Sequence, residues 1–214
     1  MARPRGAKAR ATAVVSLLAA LYPDARCALS HTNAYELLVA TILSAQTTDE
    51  RVNMVTPALF AEYPTSADLA AADPAEVEEL IRSTGFFRSK AKNIIGMAQA
   101  VEERFGGKIP TELHDFVTLP GVGRKTGNVV RSVWYGLPGL PVDTHVTRLS
   151  RRLKLTAETD PVKIEHDLGA IVDPDDWGLL SLRLIEHGRQ VCFARKPRCD
   201  TCGLVEVCPS AFKV

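Results

Sequence analysis

The sequence predicts an all-α protein of about ten short helices, on three observations. Apolar residues recur at three- and four-residue spacing through most of the chain. No segment alternates apolar and polar residues as a half-buried strand does. The punctuation is of the helical kind, with Asp-Pro pairs at starts and glycines at stops.

The elements follow in order. Ala13 to Leu21 form a short core helix that ends near Tyr22-Pro23. Over 33–47, Leu37, Leu38, Thr41, Ile42 and Ala45 share one stripe. Asp73-Pro74 is an N-cap followed by a first-turn proline, opening a helix with Val77, Leu80 and Ile81 inside. Ser89 can cap a helix that runs to Phe105 and stops at Gly106-Gly107. Thr111 starts another short helix, and one runs through Val129, Val130, Val133 and Trp134. A further helix contains Val146, Leu149 and Leu153. Asp160-Pro161 repeats the Asp-Pro start, and 177–191 make the last helix. Gly136-Leu-Pro-Gly-Leu-Pro141 is linker-like and can separate two helical domains.

The chain has 214 residues, 46% hydrophobic and 24% charged, which suits a globular protein and excludes collagen-like and disordered classes. No uncharged apolar run approaches the roughly 18 residues of a membrane span. Net charge is only +1, but its distribution is uneven. Residues 1–10 carry Arg3, Arg5, Lys8 and Arg10 without an acid, and 189–198 carry Arg189, Arg195, Lys196 and Arg198 without one. Such separation can present a positive face to a polyanion. The basic start followed by an apolar run superficially resembles a secretory signal. The five cysteines argue otherwise, since an odd number with four crowded into 192–208 suits metal binding in a reducing compartment. The expectation is a flexible basic tail over 1–11 and a cytoplasmic protein.

Four constellations carry chemistry. Leu119-Pro-Gly-Val-Gly-Arg-Lys-Thr126 joins two helices through a turn with Gly121 and Gly123. Glycines let backbone N–H groups approach a ligand, and the helix start behind them favours a phosphate; an ordinary helix–helix turn is the plainer alternative. Lys125 stands in the first helical turn, where the macrodipole disfavours a cation, as a nucleophilic amine needs; a solvated charge or a phosphate contact is the plainer reading. Asp143 in Val142-Asp-Thr-His145 is either a helix N-cap or a carboxylate facing a cleft, and His145 is structural or a phosphate contact. Finally, Cys192-x6-Cys199-x2-Cys202-x5-Cys208 offers four thiolates to zinc or an iron–sulfur cluster, with two disulfides formally possible.

Taken together, these motifs resemble the endonuclease III family of helix-hairpin-helix DNA glycosylases with lyase activity. Leu43-Ser-Ala-Gln-Thr47 and Thr84-Gly-Phe-Phe-Arg-Ser-Lys90 also look like family segments, so the resemblance covers essentially the whole chain. It implies two α-domains with the DNA cleft between them. One is a six-helix barrel over 27–137 containing the hairpin; the other joins 1–26 to 138–214 and holds a [4Fe–4S] cluster on Cys192, Cys199, Cys202 and Cys208. Lys125 is then the nucleophile and Asp143 the catalytic carboxylate. Gln46 fills the gap left by a flipped base, Phe86 wedges the opposite strand, and Gly121, Gly123, Arg124, His145, Lys196 and Arg198 contact DNA. The partner is duplex DNA with damaged pyrimidines or abasic sites, bound by a monomer in the bacterial cytoplasm or nucleoid. The family often has Leu at Phe86, and Ala at Gly127 with little expected consequence.

Three rival readings are weaker. An adenine glycosylase of the same superfamily lacks the catalytic lysine and carries Glu where this chain has Thr41. A non-enzymatic hairpin module needs no Lys125 and Asp143 together, and an electron carrier needs no long helical body.

Overall fold

The computed structural model describes residues 4–214, and every regular element among them is helical. The α-helices are α1 (Ala7–Leu21), α2 (Ala34–Leu43), α3 (Asp49–Glu62), α4 (Ser66–Ala70), α5 (Pro74–Leu80), α6 (Phe87–Phe105), α7 (Leu113–Phe116), α8 (Arg124–Val133), α9 (Thr144–Arg152), α10 (Pro161–Gly169) and α11 (Trp177–Gln190). Side chains close most of their N-terminal ends. Asn33, Thr48, Asp73 and Asp160 accept from the amides of Glu36, Arg51, Ala75 and Lys163, and Thr65 with Asp68 forms a capping box.

The chain divides into two compact units, each with its own apolar core. The first is contiguous, Cys27–Gly136; the second comprises Leu137–Val214 and the chain before Cys27. In the contiguous unit α2 is the central helix. Of the five residues expected on one stripe, Ala45 lies beyond the helix and is exposed, but Val39, Ala40 and Leu43 are buried as well. A helix apolar all round lies inside, whereas an amphipathic one lies at a surface. Helices α3, α6 and α8 pack against α2, and α4 and α5 pack on α6. In the discontinuous unit α11 packs on α1 and α9, and α10 packs on α9.

Three expectations need correction. Of the basic tail read over 1–11, residues 1–3 with Arg3 lie outside the described residues, and from Ala7 the segment is helix. Ala7, Ala11, Val14 and Leu18 are buried at four- and three-residue spacing, so the apolar stripe starts earlier than the charges suggest. Arg10 anchors that turn, donating from Nε to Leu153 O at 2.6 Å and from Nη2 to Lys154 O at 2.7 Å. Ser89 does not cap α6, which begins two residues earlier after Phe86 in a left-handed conformation. Gly127 is not a tolerant position: a Cβ there would stand 2.9 Å from Phe116 Cβ and 2.8 Å from Leu113 Cδ1. The close seating of α7 against α8 requires its hydrogen.

The hairpin between α7 and α8 is seated on α6. Leu119 and Val122 are buried, and Val122 N–H donates to Leu119 O at 3.1 Å. Gly121 has φ 72°, and a Cβ on it would lie 2.7 Å from Asn93 Cβ; one on Gly96 would lie 3.4 Å from Pro120 Cγ. Gly121 therefore serves the turn and its packing. Gly123 is different, with φ −90° and nothing within 4 Å of an added Cβ. We expect Gly121→Ala to lower stability by about 2–3 kcal/mol, from left-handed strain plus overpacking. Gly123→Ala changes only an N-cap preference, below about 1 kcal/mol. Denaturant unfolding of both variants checks this, and equal losses would refute the division of labour.

Candidate functional site

In the contiguous unit, the hairpin delivers chain to the start of α8. Gly123 is the N-cap and supplies no side chain, so the first-turn amides receive no side-chain cap. Lys125 sits in that turn and is exposed; Arg124 beside it is half-buried. An uncapped helix start with cations beside it is a ready anion site. The same unit carries two exposed residues in the left-handed region that side chains rarely adopt. Gln46, just after α2, has φ 54°, and Phe86, just before α6, has φ 48° and is 69% exposed. Thr41 is buried inside α2 and donates to Leu37 O at 2.7 Å, a satisfied core hydroxyl. Cys27 packs against this core and belongs to no thiol cluster.

In the discontinuous unit, Asp143 caps α9: Oδ1 accepts from Val146 N–H at 2.8 Å. The cap uses one oxygen of a carboxylate that has two. His145 turns toward α11 and is half-buried. Arg148 Nη2 lies 3.1 Å from its Nδ1 and donates to Gly188 O at 3.1 Å. Burial pushes the His145 pKa down; Asp143 opposes this, Arg148 and Arg189 add to it, and a hydrogen bond to the Gly188 backbone opposes it. Gly188 makes room for the ring, since a Cβ there would meet His145 Nδ1 at 2.6 Å.

The C-terminal loop gathers its four cysteines. Cys192, Cys199, Cys202 and Cys208, all half-buried, line one cavity whose other walls include Leu149, Val191 and Leu204. Among the described residues, no group of three or more His, Cys, Asp or Glu is placed to hold a metal ion. The thiols stand around a space rather than at a point. Burial pushes the Cys202 and Cys208 thiols up, and the neighbouring cysteines push further. Thiolates gathered there require a positively charged occupant to offset this.

Two arginines missed in the sequence hold that loop. Arg148 Nε donates to Cys192 O at 3.2 Å, and Arg152 Nη1 to Phe193 O at 2.7 Å and Cys192 Sγ at 3.2 Å. Their i, i+4 spacing on α9 was the available signal. His187, buried on α11, was missed too. Its Nε2 lies 3.4 Å from Cys202 Sγ and its Nδ1 2.8 Å from Tyr22 Oη. Burial takes its pKa down to about 4, which keeps it neutral near pH 7. With a thiolate at Cys202, which can only accept, Nε2 carries the proton and Tyr22 donates to Nδ1. Lys196 and Arg198 are exposed on the loop; Lys196 is left-handed, and the Arg198 guanidinium lies over the Phe193 ring at 5.3 Å.

Residues 39–174 match the HhH-GPD superfamily base excision DNA repair protein family. An endonuclease III of Synechocystis sp. is 55% identical over 205 residues, covering 95% of this chain and 94% of the relative. The chain belongs to the endonuclease III family. Two solved structures of the family, a non-covalent endonuclease III–DNA complex and a trapped endonuclease III–DNA covalent intermediate, are 39% and 40% identical. They superpose with TM-scores of 0.89 and 0.90, each covering 95% of this chain and 96% of the other. A thermostable thymine-DNA glycosylase shares the endonuclease III fold at 22% identity and a TM-score of 0.85. Among the described residues no helix is long and apolar enough to cross a membrane.

The cap itself is testable apart from any chemistry. Asp143→Ala should cost about 1 kcal/mol in thermal unfolding, whereas Asp143→Asn, also a good N-cap, should cost a few tenths. An alanine variant as stable as the parent would remove the cap assignment.

Proposed function

We propose that this endonuclease III family member is a bifunctional DNA glycosylase and abasic-site lyase that excises oxidised pyrimidines from duplex DNA. The observation that carries the reading is Lys125, an exposed amine in the uncapped first turn of α8 behind a Pro-Gly-x-Gly hairpin. A base inside a duplex hides its glycosidic bond, so the nucleotide is first rotated out at a cost of a few kcal/mol. Damaged pyrimidines that stack and pair poorly are cheaper to extrude. Gln46 fills the vacated space and Phe86 enters the opposite strand. Gly121, Gly123 and Arg124 hold phosphate at the hairpin, and His145, Lys196 and Arg198 add contacts outside it.

Neutral Lys125 Nζ attacks C1′ of the sugar as the C1′–N bond to the base breaks. The base leaves with the bonding pair, and Asp143 stabilises the positive charge developing on the sugar. One amine proton goes to the departing base; the C1′–O4′ bond then breaks, O4′ takes a proton from solvent, and a protonated Schiff base is left at C1′. Removal of a C2′ proton then expels the 3′ phosphate with its bonding electrons, nicking the strand.

Cys192, Cys199, Cys202 and Cys208 would hold a [4Fe–4S] cluster. The cavity they line, the need for positive charge among thiolates, and donors from Arg152 and His187 to sulfur support that fit. Its contribution there is structural, cross-linking a loop that carries Lys196 and Arg198. A monomer acting on DNA in the bacterial cytoplasm completes the reading.

Replacing Lys125 and replacing Asp143 should have different consequences. Lys125→Gln should form no borohydride-trapped adduct on damaged duplex while still binding it. Asp143→Asn should lose on the order of 10²–10³ in excision rate, the usual worth of one preorganised electrostatic group. Its lysis of a ready-made abasic site should fall less, since the glycosidic bond is already gone. Trapping by Lys125→Gln, or unimpaired excision by Asp143→Asn, would overturn these roles. Purified protein should be brown, with about four irons per chain, by metal analysis. Active, colourless protein with one zinc would reject the cluster.

A further inference from the structure

Lys90, on α6, is only 5% exposed, and its ammonium has neutral partners. Nζ donates to Thr47 Oγ1 at 2.7 Å and to Thr84 O at 2.9 Å. Thr47 Oγ1 itself donates to Thr84 O at 2.5 Å, closing a triangle, and Lys90 N–H donates to Phe86 O at 3.0 Å. Burial alone moves the ammonium below the ordinary lysine value; no carboxylate contributes. A buried ammonium without a counter-charge is costly, and an apolar chain of similar length would fill the place at lower cost. What the apolar chain lacks is the ability to hold two loops at once.

Those loops are the ones with left-handed residues. Thr47 follows Gln46 (φ 54°), and Thr84 precedes Gly85 and Phe86 (φ 48°). Each conformation is sparsely populated for a residue with a side chain, and such strain persists only when the surroundings enforce it. The triangle of Lys90, Thr47 and Thr84 supplies that enforcement from below.

We infer that Lys90 is a positioning residue for base extrusion, tying the turn of Gln46 to the turn of Phe86 so that both enter the duplex in register. The inference rests on the roles proposed above for those two side chains. An extruded nucleotide stays out only while its gap and the opposite strand are both occupied. Loosening either turn lets the base return before Lys125 reacts. An abasic site has no base to return and needs the tie less.

The test uses the full-length holoprotein and the variant Lys90→Met, with 2-aminopurine beside the lesion reporting extrusion. Single-turnover excision and the extrusion signal at saturating protein should fall together, by about tenfold or more, because small misplacements are amplified in such steps. Lysis of an abasic site, borohydride trapping on that abasic duplex and melting temperature should stay near the parent values. Thr47→Val removes the acceptor and should reproduce the loss, Thr47→Ser should restore it, and Lys90→Met with Thr47→Val should be no worse than either alone. If Lys90→Met does not fold, Thr47→Val decides on the same readouts. Unchanged extrusion with normal trapping overturns the inference alone, as does an equal loss of excision, lysis and melting temperature. No trapped adduct from the unaltered protein overturns the lyase reading, and this inference with it.

Discussion

Short helices impose the constraint on which this structure depends. Among the described residues, eleven α-helices, the longest of 19 residues, leave many ends, and each end leaves backbone groups without helical partners. Helices of such length do not stand alone in water, so packing must hold them and caps must satisfy their ends. The chain answers with Asn, Thr and Asp at most N-termini. The positions assigned to chemistry lie at the same ends. Lys125 occupies a first turn, Asp143 is itself a cap, Gln46 trails α2 and Phe86 leads into α6. Only at α8 among these does a glycine replace the capping side chain, and there the first-turn amides have no side-chain cap.

In the proposed reaction, Asp143 serves two demands. Its Oδ1 fixes the first turn of α9, which makes the carboxylate rigid, and rigidity is what electrostatic stabilisation of a transient cation needs. The same helix extends the arrangement through Arg148 and Arg152, whose guanidiniums grasp the carbonyls that lead into the cysteine loop. Packing of Cys192, Cys202 and Cys208 against the core of that unit makes the loop an outgrowth of the core.

Short-range features were the legible part. Helical class, the Asp-Pro starts and the hairpin follow from residues within one turn of each other, and the cysteine spacing foretold thiols around one cavity. What stayed hidden depends on partners distant in sequence. The first turns of α1 read as a tail because Arg10 finds its carbonyls only at Leu153 and Lys154. The two hairpin glycines looked equivalent until Asn93 was placed beneath one of them. Lys90 drew no role of its own because burial cannot be read from a helix whose neighbours are unknown. Arg148 and Arg152 were overlooked for the same reason, their partners lying some forty residues ahead on another element.

The interrupted course of the second unit bears on biosynthesis. A ribosome releases Ala11, Val14 and Leu18 long before Leu149, Leu180 and Leu184, the apolar residues of the same core, exist. The contiguous unit, Cys27–Gly136, has all its partners as soon as it emerges and can fold during translation. Until then α1 carries an unsheltered apolar stripe, framed by Lys8 and Arg10 on its polar side. Those charges keep the waiting segment hydrated, and Arg10 later binds Leu153, 143 residues along the chain, when it arrives.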